Sequence, residues 1–543
     1  MFVYKQNIEQ KQDYRFIINQ SDYQNSGLKH LHLLEQQKIK LYSAFFCKLE
    51  GCKKLLSFSL NIQQNDVSVP YISDLIKGIL KLKNLEKINL NLEKNRIDAQ
   101  CIKYLVEGFQ KFPKLQSIDL NLSRNRRLDK KALQNLSFGM SKCKNLTGLC
   151  LCFHENNFDD DSLYELSSGI SKCLNLQQFD IDLRKNQITL AGATSLAQSL
   201  LNCIALQNFS VDLMQCSNGK QTSCAEFGFY IAQHQNLRNL KFNFNESFFS
   251  PKNIEELSQE LKNMKNLISL NIQYTYGINQ KVFTRINNAR FLDILNNLQD
   301  CQQLQQLNLD FSSNSIGDKF IIFDNLNFKQ LTTLNLNLSS NSSFGENESS
   351  NFFDLFNKIH SLQDLKLNLS NNQLSIKNIQ SLGNSLKINQ NIQKLHLILN
   401  NCKLRLIVAK ILFTQLGQCT QLNSLCINLD LFSETEDEKN EQILAKLKSC
   451  TKLQNLSLTL NNVELDINEI PHFKNLQSLN LHLNYHDITE FGSLGTALRQ
   501  LQLLSSLSLK IWTARKIQIV KNQIQIRKIL KIKRLVQYYI KLY

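Results

Sequence analysis

The strongest constraint on how this chain folds is a recurrence. Units of the form L-x-x-[LIF]-x-[LIVF]-x-apolar begin at Leu55, Leu85, Leu115, Leu146, Leu176, Leu206, Leu237, Leu267, Leu304, Leu331, Leu362, Ile392, Leu422, Leu453, Leu476 and Leu504. Eleven of the fifteen intervals between them are 30 or 31 residues, and the rest are 37, 27, 23 and 28. "LKHLHL" at Leu28 offers an irregular seventeenth unit. A unit this short cannot bury its own apolar face, so neighbours must stack into a continuous core. Each start opens a stretch in which apolar and polar residues alternate, the period of a half-buried strand. Between strands the apolar spacing becomes helical, as for Leu196, Leu200 and Cys203 in "LAGATSLAQSLLNC".

Ten residues after the start, Asn65, Asn95, Asn125, Asn156, Asn186, Asn314, Asn341 and Asn372 recur, with Cys216 and Cys402 in two further units. On these residues the chain resembles leucine-rich repeat proteins, whose template L-x-x-L-x-L-x-x-N/C-x-L carries Asn or Cys at this slot. The resemblance spans residues 50–512. It implies an α/β leucine-rich repeat solenoid of about 16–17 repeats, with parallel strands on the concave side and helices on the convex side. It also implies a buried ladder of Asn and Cys side chains bonded to the backbone of adjacent turns. A strand and a full helix per unit resembles the ribonuclease-inhibitor class, whose units run to about 28–29 residues. "LQDLKLNLSNNQL" (Leu362 to Leu374) shows the origin of the longer period: one extra x-Leu pair precedes the Asn. Insertion by two preserves strand alternation, whereas insertion by one would turn every later side chain over. The abundance of Asn, Gln, Lys and Ile also looks like the large repeat families of ciliates.

The expected organisation is an N-terminal cap (1–50), the repeat array (51–512) and a basic cap or tail (513–543). Within the array, the 37-residue and 23-residue intervals are read as changes of curvature rather than domain boundaries.

Side chains at even offsets point away from the core. They are mostly small and polar, and protein partners are expected on this face. Asp119, Asp180, Asp182 and Asp212 form a candidate acidic stripe, with Asn335, Asn337 and Asn368 continuing the polar surface. "CLCFH" sets Cys150, Cys152 and His154 on one strand, but one extended segment does not supply the closed set of four ligands that structural zinc needs. No metal or cofactor is expected. Phosphate-loop, zincin, nucleophile-elbow and kinase signatures are absent, so the expectation is a protein that is not an enzyme.

The net charge is +17, yet the last 31 residues hold nine Lys/Arg and no acid, leaving +8 for the other 512. Lys516, Arg527, Lys528, Lys531, Lys533 and Arg534 make this tail either a cap or a contact for nucleic acid or an anionic membrane. "IQIRKILKIKR" partly resembles a calmodulin-binding IQ motif through Ile524, Gln525 and Arg534. It departs from it at Ile529, where a basic residue is usual, and at Leu530, where Gly is. Of the fifteen cysteines, Cys52, Cys143, Cys173, Cys203, Cys301, Cys419 and Cys450 each sit three residues before a start, as core-slot thiols would. With no apolar run long enough to cross a bilayer and no signal-like start, a cytoplasmic or nuclear setting is expected.

Overall fold

The computed structural model describes residues 30–34, 49, 52, 54–216, 223–247, 249–276, 285–317, 326–341, 344, 351–431, 443–461, 465–484, 491–512, 532, 535 and 537–542. Alternation along each start segment produces a short strand, such as Lys87–Asn91, Ser117–Asn121 or Asp364–Asn368, with polar and buried residues in turn. Eighteen described strands form one sheet. Each pairs in parallel with the strand before and after it in sequence, from His30–Leu34 to Gln537–Leu542. The pairing passes unbroken through both irregular intervals, joining Ser269 to Gln306 and Asn455 to Ser478.

Helices such as Ala99–Phe109, Lys130–Met140 and Asp160–Ile170 return the chain from one strand to the next. Asp98, Asp129 and Asp159 start these three, each carboxylate accepting a backbone N–H at 2.9 Å from the first turn. Their Leu, Ile and Val residues meet the odd-offset strand residues in a core that runs the length of the sheet. Farther along, some helices shrink. Leu444–Leu447 and Ile467–His472 are 3-10 turns, the second containing Pro471.

The extra dyad lengthens the core by one layer. Leu92, Leu122, Leu183, Leu213, Leu338 and Leu369 occupy it, all fully buried. Pairing continues into this layer, for the Leu369 N–H donates to Ile398 O at 2.8 Å. The parallel sheet, the helical returns and the register define a leucine-rich repeat solenoid. Its strand at Gln537–Leu542 lies beyond the repeats recognised in the sequence, because "QYYIKL" carries Tyr and Ile where the template has Leu.

The solvent face of the sheet as a candidate binding site

Strand register sorts the solvent-facing side chains into rows that run across the sheet. The middle row contains Asn89, Asp119, Cys150, Asp180, Ser210 and Lys241, each paired in register with the next. It continues through Asn271, Asn308, Asn335 and Lys366. The row at the strand ends contains Asn91, Asn121, Cys152, Asp182, Asp212 and Asn243, and farther on Asp310, Asn337 and Asn368.

The strand-end row has a structural task that the sequence reading did not assign. Asn61, Asn91, Asn121, Asp182, Asp212, Asn243, Asp310, Asn337 and Asn368 each accept the backbone N–H two residues on, at 3.0–3.3 Å. This is the Asx turn, in which a short carboxylate or amide stands in for a backbone acceptor. It closes these nine strands and starts the turn that follows each. Side bonds tie the row together, Asn243 Nδ2 donating to Asp212 at 3.0 Å and Asn337 Nδ2 to Asp310 at 2.9 Å.

The expected acidic stripe is correspondingly divided. Arg184, two residues past its strand, donates to Asp182 through Nε at 2.9 Å and a terminal nitrogen at 2.6 Å, and lies 3.6 Å from Asp212. A loop cation thus neutralises two of the four aspartates, which a reading confined to strand positions does not reveal. Asp119 and Asp180 accept from neighbouring amides, Asn89 at 2.7 Å and Gln178 at 2.6 Å, and Asp119 also from the Cys150 thiol. Burial raises the Asp119 pKa; the Cys150 thiol lowers it and the Asp180 charge raises it further. Asn271, Asn308 and Asn335 are half-buried on three consecutive strands, with no hydrogen bond from their side chains to a described residue.

Cys150 and Cys152 lie on the same face, each half-buried. Contact with the Cys152 thiol and then burial raise the Cys150 pKa far above its ordinary value, keeping it a protonated thiol. Among the described residues, no group of three or more His, Cys, Asp or Glu is arranged to hold a metal ion, and every cysteine is free.

Beneath the turns, the Asn side chains at the repeat slot bridge successive repeats. Asn125 Oδ1 accepts from the Asn95 and Ile97 N–H groups at 3.0 and 3.2 Å, and its Nδ2 donates to Leu92 O and Leu122 O at 3.0 and 2.9 Å. Asn95, Asn156, Asn186, Asn314, Asn341 and Asn372 likewise donate to a carbonyl of the preceding repeat. The half-buried Asn65 donates to Gln63 O at 2.9 Å. Cys216 and Cys402 donate through sulfur to Leu183 O and Leu369 O, both at 3.2 Å. Ser247 fills the slot in the unit starting at Leu237, its hydroxyl donating to Phe244 O at 2.7 Å. A second amide ladder escaped the sequence reading. Asn145, Asn175, Asn236, Asn266 and Asn391, each one residue before a start, donate to a carbonyl of the preceding repeat at 2.7–2.9 Å.

Of the basic tail, Lys516, Arg527, Lys528, Lys531, Lys533 and Arg534 lie outside the described residues. Ile532 is buried, and Leu535 packs on the core. The final strand places Tyr539 in the middle row beside Ser508, half-exposed, with Lys510 Nζ 5.6 Å from its ring centroid. Among the described residues, no helix is long and apolar enough to cross a membrane.

No protein-family model matches the chain, and no curated protein does. Among solved structures, a leucine-rich repeat protein of Leptospira interrogans aligns with 95% of this chain and 97% of its own, at 17% identity and a TM-score of 0.41.

Proposed function

We propose that the protein is a non-enzymatic recognition scaffold, of the ribonuclease-inhibitor-like class, that binds a protein partner along the middle row of its open sheet face. The observation that carries this reading is the division of labour between rows. The strand-end Asn and Asp residues and the ladder are engaged by the backbone, whereas Asn271, Asn308 and Asn335 present amides without a hydrogen-bond partner among the described residues. Asp119 and Asp180 add charge to the same row. Seventeen steps of about 4.8 Å give a face roughly 80 Å long, ample for a standard interface. Tyr539 supplies the aromatic anchor that such interfaces favour. Asp182, Asp212, Asn337 and Asn368 support this surface from the turns beside it. The last strand, packed on the end of the array, fits the role of a C-terminal cap, which solenoids need at their open ends.

The reading is tested by recovering partners with the intact chain and with an Asp119→Lys/Asp180→Lys variant, alongside Tyr539→Ala. Reversal of these two carboxylates is expected to slow association and weaken capture with little change in unfolding midpoint, because neither holds a backbone group. Capture of every partner at wild-type levels by both variants would overturn the reading.

A further inference from the structure

A second polar surface lies along the edge of the sheet where the strands begin, away from the middle row. The residue before each strand forms its own ladder, Thr332 N bonding Gln305 O, Gln363 N bonding Thr332 O, and so on through Gln393, Asn423 and Gln454, at 2.8–3.0 Å. Two adjoining grooves of about 530 and 480 Å³ open over this ladder. Gln305, Thr332 and Gln363 line the first; Gln393, Asn423 and Gln454 line the second. Nearer the N-terminus the same row holds a shorter polar run, Gln116, Thr147, Gln177 and Gln207, bounded by the charged Glu86 and Arg238, and the apolar Ile268 separates it from this half. Lys452 is the sole cation lining either groove, and its Nζ is held by Gln421 Oε1 at 2.6 Å.

We infer that this edge is a binding site for a linear, uncharged polyhydroxylated chain, a neutral polysaccharide. Side-chain amides both donate and accept, the pairing a sugar hydroxyl needs. Those of Gln305, Gln363 and Gln454 have no hydrogen-bond partner among the described residues. A lining without free cations gives no purchase to phosphate or carboxylate. Spacing decides between neutral polymers. The rungs repeat at about 4.8 Å, whereas an extended peptide rises roughly 3.3 Å per residue and slips out of step within two rungs. An extended β-linked chain of six-membered sugar rings advances by slightly more than one strand spacing per ring and stays near step over several rungs. With no aromatic platform, each rung holds its sugar weakly, and affinity accumulates with length.

The test uses the full chain with fluorescently labelled cello-oligosaccharides of increasing length and, in parallel, a glutamine-rich peptide. Cellohexaose is expected to bind at least about tenfold tighter than cellotriose, independently of added salt. A Gln363→Ala/Gln393→Ala variant should lose most of that gain, while Asp119→Lys/Asp180→Lys should keep it. Absence of cellohexaose binding, affinity independent of length, affinity lost with salt, preference for the peptide, or indifference to the double variant would each overturn the inference.

Discussion

A single Asn of the ladder bonds the backbone of two successive repeats together. Asn125 is fully buried and satisfies two donors and two acceptors drawn from consecutive repeats. Truncation leaves the Asn95 and Ile97 N–H groups in the core without partners, while Leu92 O and Leu122 O keep the Asn95 and Asn156 amides. Asn125→Ala is therefore expected to cost about 3 kcal/mol in urea unfolding. Asn125→Cys should cost less, because sulfur at this slot still donates to the preceding repeat. His234 gives the residue scale a pH dependence. It occupies the slot where other repeats place cysteine, and burial pushes its pKa down to about 4 from the ordinary 6.5. The unfolded chain thus binds a proton that the folded chain refuses. The stability contributed by neutral His234 is complete above pH 6.5, declines as the pH falls, and is lost below about pH 4. The difference amounts to about 3 kcal/mol. Unfolding of His234→Leu measured across this range should be less acid-sensitive by that amount, and parallel pH profiles would contradict the assignment.

Elements in this protein are set by spacing the sequence displays and by contacts it does not. Strand positions, the core layer added by the dyad, and the Asn slot all follow from period and alternation, which depend only on which residues recur. The Asx turns were not legible, since Asn368 at a strand end has the same pattern as a solvated Asn. Arg184 escaped notice because it lies past its strand, and Tyr539 because its strand lacks the leucine template. Helix packing was equally hidden. Gly108, Gly139 and Gly169 each stand seven residues before a repeat start, where adjacent helices meet. A Cβ on Gly139 would lie 2.1 Å from Val106 Cβ, a backbone-fixed atom. Gly139→Ala is expected to destabilise by about 1–3 kcal/mol through overpacking, despite about 1 kcal/mol of better helix propensity. Gly148→Ala, whose Cβ would meet Ser117 Oγ at 3.4 Å, serves as the tolerated comparison in the same thermal melts.

At the scale of the whole molecule, one rule builds everything described: each repeat touches its neighbours, and rows of like residues result. Rows that bond to the backbone hold the array together, and rows that do not are available to a ligand. On the proposed reading, recognition belongs to the middle row of the sheet. The most direct measurement is site-specific photo-crosslinking in cells, with the probe placed in turn at Asp180, Asn271 and Asn335 and, on a helix, at Tyr164, which is 65% exposed. Recognition along the middle row predicts protein adducts from the three sheet positions and none from Tyr164. Adducts from Tyr164 with none from the sheet would contradict it.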